Sequence, residues 1–131
     1  MSRALKMTFL IHAVVAFAVG ALLLIIPGRT LWWFGWDIWG SIDPLTSRVV
    51  GGALVALAWS SFRGWRSTEM EQVAVLIEME AAFFTLTSLS WLNKLVLTPP
   101  WPYHVRVWIV FAILVLFSVV WIFLLVREKR R

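Results

Sequence analysis

Residues 7–26 read MTFLIHAVVAFAVGALLLII, a run in which His12 is the only ionisable group. As an α-helix rising about 1.5 Å per residue, the run reaches roughly 30 Å, the thickness of a bilayer's hydrocarbon core. Arg3 and Lys6 before it give the start a signal-peptide look, and Ala16-Phe17-Ala18 mimics a cleavage site. That triplet lies in the middle of the apolar run, so the segment is expected to stay as a membrane span.

Working outward, Pro27-Gly28 closes the first span, and three more spans are predicted at 45–62, 69–97 and 103–126. Between the first two lies 29–44, with Trp32, Trp33, Phe34, Trp36, Trp39, Asp37 and Asp43. It is too short and polar to cross, and reads as a Trp-rich interfacial segment lying on the bilayer. Asp43-Pro44 is a good helix start, a side-chain acceptor followed by a residue without an amide hydrogen. Arg63-Gly64-Trp65-Arg66 reads as a tight turn, and Thr68 with Glu71 has capping-box spacing for the third span. The expected fold is all-α, an integral membrane four-helix bundle forming one domain over 1–131.

Composition agrees. The 131 residues are 61% hydrophobic, with a mean hydropathy of +0.85, where a soluble domain is about half apolar. Ten Trp and nine Phe against one Tyr suit a chain rich in membrane interface. The absence of cysteine excludes disulfides, thiolate metal sites and dithiol redox chemistry. A net charge of +5 sits beside apolar runs, which favours anionic lipid over nucleic acid as its counterpart.

Four crossings put both termini on one side with Arg3, Lys6, Arg63, Arg66, Arg127, Lys129, Arg130 and Arg131. The other side keeps Arg29, Arg48, Lys94 and Arg106. The positive-inside rule then places both termini and the second loop in the cytoplasm.

In lipid, small and polar residues mark the faces where helices meet. His12, Ala16 and Gly20 form such a stripe, as do Arg48, Gly52, Ala56 and Ser60. In the third span Glu71, Ala74, Glu78, Ala81, Thr85 and Ser88 form another, whereas the fourth span offers none. Glu80, some 200° from Glu78 on the helix, is expected to face away from it. A carboxylate in hydrocarbon costs roughly 2.5–3.5 kcal/mol on insertion scales, so both glutamates are noteworthy.

The candidate polar site inside the membrane comprises His12, Glu78, Glu80, Ser60, Trp59 and Trp121. A His12–Glu78 pair suits proton relay, an amine, or acid–base work on a lipid-like molecule; the structural reading is a hydrogen-bonded lock. A second candidate, for a ligand or headgroup near the opposite surface, gathers Arg48, Asp37, Asp43, Lys94, His104 and Arg106. Arg48 is expected to face inward, and Lys94 and Arg106 to snorkel. No metal is expected, because His12 and His104 belong to opposite membrane halves.

The organisation resembles small four-helix bacterial membrane proteins of the DoxX-like type. The resemblance rests on Pro27-Gly28, Phe34-Gly35, Asp43-Pro44 and Ser47-Arg48-Val49-Val50-Gly51-Gly52-Ala53-Leu54, followed by a third span with a polar residue. It implies a link to quinone-dependent oxidoreductases, with Arg48 as the motif-matched residue and quinone as the cofactor to look for. The functional expectation is a small membrane subunit or accessory protein of a larger complex, quinone- or lipid-associated, without catalysis of its own. Its partners would be membrane lipids and other membrane subunits or further copies of the chain, and not nucleic acid. Alternatives are a stand-alone binder or enzyme for a lipid-soluble molecule using His12 and Glu78, and a proton-coupled small transporter.

Overall fold

The computed structural model describes residues 1–34, 44–97 and 105–129. Five α-helices appear in chain order: α1 (Arg3–Ile25), α2 (Pro27–Trp33), α3 (Pro44–Arg66), α4 (Met70–Leu97) and α5 (Val105–Lys129). There is no strand among the described residues. α1, α3, α4 and α5 are each long and apolar enough to cross a membrane. The chain divides into two compact units, Met1–Val73 and Ala74–Arg131.

α1 starts where Ser2 caps it, its hydroxyl accepting the Leu5 N–H at 3.2 Å. It ends at Ile25 because Pro27 cannot continue the ladder; Pro27 instead takes the first position of α2, where no N–H is needed. Thr30 is fully buried under α2, its hydroxyl donating to the Ile26 carbonyl at 2.9 Å, while Trp32 and Trp33 are exposed. This short helix covers the first part of the Trp-rich segment; Trp36, Asp37, Trp39 and Asp43 lie outside the described residues.

α1 packs against α3. Phe9 meets Gly64 and Gly20 meets Gly51, while His12 meets Ser61, so each step forward along α1 matches a step back along α3 and the pair is antiparallel. The buried face of α1 is Leu5, Phe9, His12, Ala13, Ala16, Gly20 and Leu23, a 3.6-residue stripe.

α3 corrects two expectations. It runs on through Arg63-Gly64-Trp65-Arg66 instead of turning there, and the link to α4 is Ser67–Glu69. Gly64 is buried for packing: a Cβ there would meet the Phe9 ring at 2.8 Å. The inward stripe is Ser47, Gly51, Ala58, Ser61 and Gly64, whereas Arg48, Gly52 and Ala56 are exposed and Ser60 is half-buried. Gly51-Gly52 and Ser60-Ser61 are doublets, so a search for small residues does not choose between the two rotations. The bulky neighbours and the approach to Gly20 do.

In the second unit α4 and α5 meet at Phe84–Phe117, with stacked rings whose centroids are 5.1 Å apart, and at a Thr85–Ser118 hydrogen bond of 2.8 Å. From Thr85 to the end of α4, and from the start of α5 to Ser118, the helices together rise about 38 Å. The eight Cα–Cα steps from Leu97 to Val105 reach at most about 29 Å. Only an antiparallel hairpin satisfies both.

Candidate functional site

His12 lies at the second and third turns of α1 on the face that α3 covers, 1% exposed. Its Nδ1 is 2.8 Å from Ser61 Oγ, and Ser61 is 0% exposed. A buried hydrogen bond between two side chains on facing helices fixes rotation and depth at once. The residue named from the sequence at this level was Ser60; its hydroxyl instead turns back to the Leu57 carbonyl at 2.9 Å within its own helix. A Ser–His couple is also the beginning of a nucleophilic device, which needs an opening to substrate. Here both members are sealed.

The two glutamates exchange the roles expected of them. Glu80 is 1% exposed, and Glu78 is exposed beside Val75 and Met79. The reason is the large apolar residues of α4: Val73, Ile77, Ala81 and Phe84 are buried, and Glu80 falls on their line at 3.6-residue spacing. The stripe read from small and polar residues alone shares Ala81 with this line but is centred roughly 90° away from it. His12 and Glu78 fall in different units, one buried and the other exposed.

α5 does have an inward stripe. Val107, Ser118, Trp121 and Leu124 are buried, with Phe111 and Leu114 half-buried between them, so the stripe advances in steps of three and four residues. All but Ser118 are bulky and apolar, which hid the stripe in the sequence. In the antiparallel hairpin Glu80 lies about 7.5 Å along α4 from the Thr85–Ser118 bond, and Trp121 lies about 4.5 Å along α5 on the same side. A buried carboxylate and a buried indole thus lie within about a turn and a half of the hydroxyl pair along their helices. Trp121 is fully buried, whereas Trp59 is 64% exposed on the outer face of α3, stacked on Phe62 at 5.9 Å. Trp59 therefore belongs with the outward aromatic residues.

Of the second candidate set, Arg48 is exposed, which corrects its expected inward orientation, and Arg106 is exposed near the start of α5. Asp37, Asp43, His104 and the side chain of Lys94 lie outside the described residues. Among the described residues no three His, Cys, Asp or Glu side chains gather as a metal-ion site.

Comparison with protein-family models, with curated proteins and with solved structures found no match.

Proposed function

We propose that the chain is a small integral-membrane subunit or accessory protein of a larger membrane complex. Its four long helices form a bundle of DoxX-like type, with both termini on the cytoplasmic side of a bacterial inner membrane. The observation that carries this reading is α5, of whose spanning window only 17% is buried. Ile109, Leu116 and Phe123 repeat along it every seven residues, each more than half exposed. The inter-helix polar contacts support the same reading. His12–Ser61 and Thr85–Ser118 each join two facing helices by a side-chain hydrogen bond, one in each unit.

The reading is tested by placing a photo-reactive amino acid at Leu116 or Phe123 and irradiating the native membrane. A discrete adduct with one other polypeptide, the same from both positions, is the expected result. Adducts with lipid alone would contradict it.

A second reading is favoured by one specific observation, the buried Glu80 and Trp121 at neighbouring levels of the α4–α5 hairpin. A lipid-soluble molecule with a hydrogen-bonding head and a flat ring, a quinone among them, fits such a pair. In this reading Glu80 and Trp121 replace His12 and Glu78 as the residues to mutate, and ligand-induced stabilisation should vanish in Glu80→Leu.

A further inference from the structure

The antiparallel register of α1 and α3 brings four cations to one end of the first unit. Gly64 lies against Phe9 and Ser61 against His12, so Lys6 is level with the end of α3 and Arg3 stands about one turn beyond it. The last turn of α3 carries Arg63 and Arg66. Along the helix axis the four fall within about 10 Å of one another, less than two arginine side chains can span. Arg3, Arg63 and Arg66 are exposed and Lys6 is half-exposed.

Arg63 and Arg66 have an internal explanation, since cations at a helix C-terminus complement its partial negative charge. Arg66 also lies 6.0 Å from the centre of the Phe62 ring. Arg3 and Lys6 have the reverse. They stand at the N-terminus of α1, where the dipole disfavours positive charge, and the first turn has no acidic residue to offset them. Among the described residues no ion pair engages Arg3, Lys6 or Arg63. The nearest carboxylates in the chain of this unit are Glu69, whose side chain accepts from the Gln72 amide, and the exposed Glu71. Four cations thus meet two carboxylates, with the apolar faces of α1 and α3 beginning directly below.

We propose that this end of the α1–α3 pair is a headgroup site for an anionic phospholipid bearing two phosphates. The lipid's phosphodiesters take the place of the missing acidic residues: one sits between Arg3 and Lys6, where it also meets the first N–H groups of α1, and the other sits between Arg63 and Arg66. Its acyl chains then continue along the exposed apolar flanks of the two helices. A lipid is favoured over free phosphate because the cations stand where the apolar helix faces begin.

The test uses the full-length protein in phosphatidylcholine nanodiscs, titrated with diphosphatidylglycerol or with phosphatidylglycerol at equal phosphate, and read by native mass spectrometry. Diphosphatidylglycerol should bind preferentially. Arg63→Gln with Arg66→Gln should weaken it roughly thirty-fold, at about 1 kcal/mol for each basic residue near the surface. Arg63→Lys with Arg66→Lys should retain most binding, and Arg29→Gln in α2 should leave it unchanged. Equal binding of the two lipids, or an unaltered affinity in the glutamine variant, would overturn the proposal. Displacement of the lipid by inorganic phosphate at constant ionic strength would assign the site to free phosphate and overturn it as well. Should the glutamine variant lose helicity, the preference of the wild-type protein between the two lipids decides alone.

Discussion

In the α1–α3 pair two backbones touch, whereas in the α4–α5 hairpin large side chains do. A Cβ on Gly20 would stand 2.7 Å from the Gly51 carbonyl oxygen, and one on Gly51 would stand 2.8 Å from that of Gly20. In the hairpin the contact is Phe84 on Phe117, with Trp121 and Leu124 buried farther along. A side-chain hydrogen bond crosses each pair, His12–Ser61 in the first and Thr85–Ser118 in the second. Lipid tails are as apolar as the helices, so burial alone drives association weakly. The two pairs show two remedies, close approach through glycine and interdigitation of aromatic rings, with a polar contact fixing the register of each.

The largest effect should come from Gly51→Leu, which forces the two backbones apart and should cost about 3 kcal/mol, the upper end for overpacking. Its neighbour is the control. Gly52 has nothing within 4 Å of a built Cβ, so Gly52→Ala should be neutral or stabilise by up to about 1 kcal/mol through helix propensity. Reversible unfolding in mixed micelles, followed by far-ultraviolet circular dichroism, measures both; equal costs would erase the distinction.

Next comes Phe84→Ala in the hairpin, expected at about 3 kcal/mol, the low end for a buried phenylalanine, because the cavity is partly refilled. If that loss instead equals that of an exposed-residue control such as Leu86→Ala, the aromatic contact is not what holds the hairpin. A third comparison sets Glu80→Ala against Glu78→Ala. Removing the buried carboxylate should cost about 2 kcal/mol by disturbing its surroundings, and removing the exposed one should stay within about 0.5 kcal/mol.

The smallest effects belong to the polar contacts. His12→Ala should cost about 1–1.5 kcal/mol, leaving Ser61 buried without its imidazole, and Thr85→Val about 0.6 kcal/mol, the usual value for an inter-helix hydrogen bond in membranes. A double substitution of His12 and Ser61 tests the first contact directly. Additive losses would show that the two side chains do not interact.

Much of the fold was legible because length and apolarity are one-dimensional signals. The four long helices follow from uninterrupted hydrophobic runs, and α1's buried face from His12, Ala16 and Gly20. Rotation about the helix axis was harder to read. Gly51 and Gly52 are chemically identical in the sequence, and only the partner backbone tells which is inward. Glu80 was hidden because its neighbours on the inward line are Ile77 and Phe84, residues that lipid would accept equally well. Ser61 was missed beside Ser60 for the same reason, although its spacing of three from Ala58 and Gly64 is the signal that could have found it. The turn placed at Gly64 failed because glycine serves close packing as readily as reversal.

The measurement that bears most directly on a structural, complex-forming role is native mass spectrometry of the protein gently extracted from its own membrane. It reports protein stoichiometry and retained small molecules together. The account predicts a discrete assembly with at least one different polypeptide, alongside bound anionic phospholipid. A chain that appears alone, or only with copies of itself, while retaining a non-phospholipid molecule would contradict it.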